Sequence, residues 1–154
     1  MSTNGGGGWF RRVFSRAKAL PLDPTRGDLV VVASSFDDAE SCSSALDRGT
    51  ETKGFVADSE AVLRHHLVLP RDTVDDAATI AAQDGYAVAD GVPEAVSETS
   101  VDDGVAVTLQ RVQIVDALHC SQERSRMAGL AQRRGGVVLG WDVLQPGAGV
   151  EKSS

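Results

Sequence analysis

Cysteine is scarce in this chain of 154 residues, and long apolar runs are absent from it. Cys42 and Cys120 stand far apart without a C-x-x-C spacing, so neither a disulfide framework nor a zinc ribbon is predicted. Both cysteines are expected to be reduced, small apolar side chains. A membrane helix needs about 20 apolar residues in a row, and the N-terminus lacks the apolar segment of a secretory signal. These absences predict a cytoplasmic protein.

Patterns typical of catalytic nucleophiles are also missing. No serine or cysteine lies in a nucleophile elbow, and the acidic pairs Asp75-Asp76 and Asp102-Asp103 fall where helix starts and turns favour aspartate. We therefore expect no catalytic residue, no cofactor and no resident metal. The length allows one modest core.

The charges are unevenly distributed along the chain. Residues 1–27 hold five basic residues against Asp23, a net of +4, and the total of −7 leaves −11 for residues 28–154. An acidic folded part is expected to repel phosphate backbones, so direct nucleic-acid binding is not expected.

The basic N-terminal leader, residues 1–27, contains two further signals. The glycine run at residues 5–8 follows no strand and lacks the lysine of a P-loop, which indicates a flexible linker. Residues 9–20 place apolar and basic side chains at helical spacing. This segment is either a leader that folds back or stays disordered, or a short helix that contacts a membrane surface or a partner.

Residues 28–58 give mixed signals. Residues 29–33 favour a short strand, residues 37–46 favour a short helix ended at Gly49, and residues 50–58 favour a loop. Leu29, Val32 and Phe36 also fit a helical period. We treat residues 28–58 as an N-terminal extension whose structure the sequence leaves open.

Residues 59–145 carry a clearer pattern. Strand-like stretches at 62–69, 86–89, 105–112 and 137–144 alternate with helical spacing. Asp72 and Asp116 are expected to cap the two helices, and Gly85 to end the first in the left-handed conformation. The order β-α-β-β-α-β predicts an α+β, ferredoxin-like two-layer sandwich, with an antiparallel sheet and two helices on one face. Residues 146–154 are expected to be a disordered tail.

His65 and His66 lie side by side in the first of these strands. Neighbouring side chains on a strand point to opposite faces, so the two imidazoles are not expected to bind one metal ion. His65 shares its parity with Leu63 and is predicted to be buried and hydrogen-bonded under the helices. His66 shares the other parity with Arg64, on the side expected to be exposed.

Two more residues raise the same question of burial or contact. His119 falls in the first turn of the second helix and is expected to face solvent. Trp141 shares its parity with Val137, Leu139 and Val143, which favours a core position, with a partner-facing edge position as the alternative.

The segment "RHHLVLPRDTVDDAATIAAQDGYAV", followed by "DDGVAVTL", "LAQRRGG" and "GWDV", resembles the RraB family, the protein regulators of ribonuclease E. The resemblance covers roughly residues 60–144. It implies a ferredoxin-like, non-catalytic protein that binds ribonuclease E and lowers its activity on RNA. The family's better-known members end in an acidic tail, whereas this chain ends in "QPGAGVEKSS". The structural candidates are His65, Gly85 and Gly140, and the partner-binding candidates are His66, Tyr86, Trp141 and Arg64.

The predicted function is therefore that of a regulatory protein that binds ribonuclease E or a related RNA-processing enzyme and inhibits it. The alternative is an interaction domain that forms a homo-oligomer through its open sheet face, or reaches a membrane surface through residues 9–20. RNA-recognition motifs share the strand order, but they stack bases on exposed aromatic residues of the central strands. The corresponding positions here are Arg64, His66, Val68, Ala106, Thr108 and Gln110. A metal-using enzyme would need a histidine to meet carboxylates.

Overall fold

The structure, a computed structural model, describes residues 21–89 and 103–147. Within these ranges the chain forms five strands and three α-helices, with a 3-10 turn at Arg71–Thr73 before the second helix. The elements are β1 Leu29–Ser35, α1 Cys42–Thr52, β2 Glu60–Pro70, α2 Val74–Ala82, β3 Ala87–Val88, β4 Gly104–Ile114, α3 Ala117–Gln132 and β5 Val137–Pro146. The amphipathic segment 9–20, most of the predicted connection and the tail beyond residue 147 lie outside the described residues.

All five strands join one antiparallel sheet in the order β1-β5-β2-β4-β3. β2 is central and pairs with β4 along its whole length, from Glu60 opposite Ile114 to Pro70 opposite Gly104. The prediction for residues 59–145 had four strands and two helices. The observed sheet has a fifth strand, because the valine-rich segment of residues 28–58 forms β1 and pairs with β5 at one edge.

The helices pack on one face of this sheet. Alternate residues of β2 point to that face: Leu63 packs in a cluster with α1, and Leu67 and Leu69 pack in a cluster with α2 and α3. Fully burying each of these leucines stabilises the fold by about 1.5–3 kcal/mol. In the described parts of the chain, no helix has the length and apolar character needed to cross a membrane.

Helix α1 begins later than predicted. Asp37 accepts a hydrogen bond from the Ala39 amide and shapes a turn, while Ser41 caps α1 by accepting from the Ser44 amide. Gly49 does not end this helix. It lies inside it, where a β-carbon would overlap the carbonyl oxygen of Val32, so glycine lets α1 approach β1 closely.

The ends of α2 and α3 follow the sequence more closely. Asp116 caps α3 by accepting from the His119 amide, and Gly85 follows α2 with φ +86°, so both predictions are confirmed. Asp72 does not cap α2, because a 3-10 turn contains it and leads directly into the helix.

A β-bulge interrupts β5 beside β2. His66 pairs with Gly140 and Leu67 pairs with Val138, so Leu139 is an extra residue between them. The bulge shifts the alternation of side chains, and Trp141 therefore shares the helix-covered face with Val138 rather than with residues 137 and 139. Trp141 is buried, in agreement with the predicted core position.

Candidate functional site

The two adjacent histidines of β2 occupy separate environments on opposite faces of the sheet. His65 lies opposite Trp141 on the face that the helices cover, and His66 lies opposite Gly140 on the other face. Each imidazole belongs to its own cluster of polar side chains. Among the described residues, no three histidine, cysteine, aspartate or glutamate side chains come together in a way that could hold a metal ion.

His65 is fully buried, as predicted. Its Nε2 lies 3.4 Å from the hydroxyl of Tyr86, and the two rings meet edge to face at 5.7 Å between centroids. Burial lowers the pKa of His65 to about 3, and the nearby His66 and Arg111 act in the same direction. His65 is therefore a neutral imidazole at neutral pH.

Tyr86 connects this histidine to a charged group of α3 and to one of β4. Its hydroxyl donates a 2.7 Å hydrogen bond to Oε1 of Glu123, whose carboxylate lies 3.6 Å from the guanidinium of Arg111. Arg111 also covers the Tyr86 ring, with its guanidinium carbon 4.6 Å from the ring centroid. Burial raises the pKa of Tyr86, and the hydrogen bond to Glu123 adds to this effect. The phenol thus remains protonated and acts as the donor.

On the opposite face, Arg64 and Asp142 form a two-pronged ion pair. Arg64 donates from Nε and Nη2 to the two carboxylate oxygens of Asp142, each at 2.7 Å. Burial would raise the pKa of Asp142, but the two hydrogen bonds from Arg64 and the close contact with His66 outweigh it and hold that pKa below its usual range. This carboxylate is committed to an ion pair.

His66 completes the cluster on this face. Its Nδ1 lies 2.9 Å from the Thr108 hydroxyl, and its Nε2 lies 3.1 Å from Oδ2 of Asp142, outside the geometry of a well-directed hydrogen bond. A proton assigned to Nε2 points toward the Asp142 side and leaves Nδ1 to accept a hydrogen bond from the Thr108 hydroxyl. The cluster therefore balances the charge of Asp142 with that of Arg64 and holds both side chains in place.

The expectation that His66 is exposed is wrong, because its side chain has no accessible surface. The ring of Phe36 stacks on the imidazole at 5.6 Å, with the planes 12° apart. Gly140 makes room for Phe36, since a β-carbon at residue 140 would lie 2.5 Å from that ring. Val68 and Thr108, also expected to be exposed, are buried.

The other proposed contact residues are also largely inaccessible. Tyr86 and Trp141 are 4 % and 1 % exposed, and Arg64 is occupied by Asp142. His119 faces solvent as predicted, and its Nδ1 lies 2.7 Å from the Asp116 carboxylate. Contact by Tyr86 or Trp141 with a partner would therefore require the core to open.

Sequence reasoning missed Asp142 and Glu123. Glu123 lies three residues after Cys120 and four before Met127, so helical spacing alone places it on the buried stripe of α3. Asp142 sits between two core residues of a strand, Trp141 and Val143, where an ion pair across the sheet is the usual way to accommodate a carboxylate.

Sequence separation also concealed the meeting of the two cysteines. Cys42 begins α1 and Cys120 lies in the first turns of α3, and both are buried free thiols in one apolar cluster. Burial raises the pKa of Cys120, and the neighbouring Cys42 adds to this through its charge and a hydrogen bond. Both side chains lie in the apolar core, as expected of small apolar residues.

Comparison with protein-family models, with curated proteins and with solved structures finds no match to this chain.

Proposed function

We propose that this chain is a cytoplasmic, non-catalytic regulatory protein that binds ribonuclease E or a related RNA-processing enzyme and inhibits it. The observation that carries the proposal is the clustering of the residues on which the resemblance rests. His65 lies opposite Trp141, His66 lies opposite Gly140, and Tyr86 contacts His65. Residues of the family pattern that lie far apart in sequence thus meet around β2. This clustering is what we expect of residues that together specify one fold.

The strand order supports a second part of the proposal, which concerns the fold. Without β1, the remaining strands stand in the order β5-β2-β4-β3, and the chain runs β-α-β-β-α-β through them. We propose that residues 60–146 form a ferredoxin-like unit to which β1 and α1 add an edge strand and a helix.

The burial of His66, Tyr86 and Trp141 supports structural roles for these residues. We therefore propose that exposed residues contact the partner. Residues 28–154 carry a net charge of −11, so the exposed charged groups are mostly acidic. An acidic surface attracts basic segments of a partner, and complementary charge speeds encounter more than it deepens affinity. Asp47 and Glu51 are exposed on α1 and contribute to this surface.

The test uses the full chain and purified ribonuclease E from the same organism. We expect direct binding in a biosensor assay and slower cleavage of an RNA substrate when the chain is added. The association rate should fall as salt rises from ~0.05 to ~0.5 M, because exposed charges are screened over ~10 Å at 0.1 M. Unchanged cleavage together with no binding would reject the proposal.

Charge variants sharpen this test. Asp47→Asn combined with Glu51→Gln should slow association with ribonuclease E, whereas Lys53→Gln, one residue beyond α1, should leave the rate unchanged or raise it. Equal loss in both variants would contradict steering by acidic groups.

Sedimentation of the chain alone tests the alternative, since a homo-oligomer without ribonuclease binding would favour a self-associating domain.

A further inference from the structure

The face of the sheet opposite the helices carries fully buried apolar side chains. β2 places Val62, His66 and Val68 on this face, in alternation with the leucines that pack under the helices. Val62 and Val68 are only 1 % and 2 % exposed, although neither belongs to the two apolar clusters beneath the helices. A valine on an uncovered sheet face keeps part of its surface in water. Burial this complete indicates that a further segment covers the face.

Exposed apolar side chains extend this surface toward both ends of β2. Ile114 pairs with Glu60 and Val137 pairs with Val68, so both share the face. Phe36 lies on the same side, with its ring stacked on the imidazole described above. Large parts of Ile114, Val137 and Phe36 remain exposed. An apolar face of this extent marks a docking surface.

The chain reaches this face from its N-terminal side. The amide of Leu22 donates a 2.9 Å hydrogen bond to Oε1 of Glu60. Alternation along β2 places Glu60 on the same face as His66, at the first residue of the strand. Residues 9–20 therefore end two residues before an anchor at the edge of this face.

Residues 9–20 have the length and the pattern that this surface requires. Their apolar side chains stand at the i, i+3, i+4 and i+7 positions of one helical face, Phe10, Val13, Phe14 and Ala17. A helix of this length spans about 18 Å. The strand from Glu60 to His66 spans about 20 Å. A helix that starts from the anchor at Leu22 thus reaches along β2 as far as His66.

Charge favours the same arrangement. The segment 9–20 carries four basic residues and no acidic one, whereas residues 28–154 carry a net charge of −11. Asp37 and Asp38 are exposed in the turn after β1, at the end of the face that the beginning of the segment would reach. These carboxylates attract the basic side chains of the segment.

Residues 90–102 are the other segment near the sheet that lies outside the described residues. They carry four acidic residues and no basic one, so the acidic part of the chain repels them. They connect β3, an edge strand, to the beginning of β4, and they have no anchor at Glu60. The N-terminal segment is therefore the better occupant of the face.

We propose that residues 9–20 form an amphipathic helix that packs on the face of the sheet opposite the described helices, over Val62, His66 and Val68. The apolar stripe faces the sheet, and the basic side chains lie toward solvent and the acidic rim. The sheet is then enclosed between two helical layers, and this face is withdrawn from self-association. The packing does not depend on the proposed interaction with ribonuclease E.

Spin labels on the two sides of the sheet test this packing in the full chain. Gln110→Cys carries a nitroxide on the docking face, since Gln110 pairs with Arg64, and Ser125→Cys carries one at an exposed position of α3. The two native cysteines are buried and should stay unlabelled. The indole N–H signal of Trp9 in NMR, identified by its loss in Trp9→Phe, should lose intensity with the label at residue 110. It should keep its intensity with the label at residue 125, because paramagnetic broadening acts at short range.

Two substitutions in the segment test which of its sides packs. Phe14→Ala removes a ring from the apolar stripe and should lower the melting temperature by about 5 °C. Arg12→Ala, on the opposite side of the helix, should change the melting temperature by less than about 2 °C. Equal changes in both variants would contradict packing through the apolar stripe.

Three further results would overturn the proposal. Equal effects of the two labels on the Trp9 signal, or no effect of either, would place the segment elsewhere. Loss of the Trp9 signal in an isotope-labelled chain mixed with a separate, spin-labelled chain would assign the face to a second copy. A Trp9 signal that the label at residue 110 leaves intact, and that disappears on addition of phosphatidylglycerol vesicles, would assign the segment to a membrane surface.

Discussion

Arg64 and Asp142 face each other across β2 and β5 and are joined by two hydrogen bonds of 2.7 Å. Their side chains are 20 % and 5 % exposed, so the pair lies largely out of water. The carboxylate also neighbours His66, which ties the pair to β4 through Thr108. Three neighbouring strands are thus linked by one polar cluster on the face opposite the helices.

Removing the charge of Asp142 should therefore be costly. Asp142→Asn leaves the Arg64 guanidinium partly buried without a counter-charge, and we expect the free energy of unfolding to fall by about 3 kcal/mol. Chemical denaturation measures this change. Asp84→Asn is the matched control, because its pair with Arg126 is well exposed and should cost less than about 1 kcal/mol. Similar losses of unfolding free energy in both variants would contradict the claim that burial makes the Arg64–Asp142 pair the more costly one to break.

His65 should make stability depend on pH. Its pKa is about 3 in the folded chain and about 6.5 when unfolded, so between these values only the unfolded chain binds a proton there. This contribution is present above about pH 6.5 and is lost as pH falls, by at most about 1.4 kcal/mol per pH unit. Denaturation midpoints from pH 7 to pH 4 measure the slope.

The control for this pH effect is a substitution of the histidine itself. His65→Gln should reduce the slope relative to the unmodified chain. The slope is compared rather than the absolute stability, because a buried substitution lowers stability for other reasons as well. An unaltered slope in His65→Gln would show that His65 does not cause the pH dependence of stability.

Two helical glycines should respond oppositely to alanine. In Gly49→Ala the added methyl group meets the Val32 carbonyl and the Ala33 side chain, which should lower stability by about 1–3 kcal/mol. In Gly129→Ala it meets only the movable end of Arg133, so the better helix propensity should raise stability by about 0.5–1 kcal/mol. Thermal or chemical unfolding compares the two. Destabilisation by both substitutions to the same degree would argue against close packing at Gly49.

The Tyr86 hydroxyl should stabilise the buried Glu123. Tyr86→Phe removes the donor from a buried carboxylate, and we expect a loss of about 1–3 kcal/mol in denaturant unfolding. Adding Glu123→Leu to Tyr86→Phe removes the stranded carboxylate, so the double variant should lose less than the sum of the two single variants. Strict additivity would show that the two groups do not interact.

The sequence predicted most of the elements between residues 60 and 146, because their periodicity and turn residues agree. Gly85 and Asp116 show this clearly, since left-handed glycines and capping aspartates act locally. The sequence predicts the start of α1 at Asp37, whereas Ser41 caps the helix and Asp37 shapes the turn before it; aspartate and serine are both common in either role.

Long-range features could not be read from a single sequence. The partnership of Arg64 with Asp142 depends on strand register, and the burial of His66 depends on Phe36 from a segment whose structure the sequence left open. The bulge at Leu139 changes which side chains share a face, and parity counting assumes that no such extra residue exists. The approach of Cys42 to Cys120 is likewise a property of helix packing.

The position of β5 between β1 and β2 has a consequence for synthesis on the ribosome. Of the strands described here, β1 emerges first and β5 emerges last, yet β1 pairs with β5. The nascent chain can form the β2–β4 pairing while β1 and the apolar side of α1 wait for residues 137–146. Translation that stops before that point leaves β1 unpaired, a state in which exposed apolar segments invite chaperone binding or aggregation.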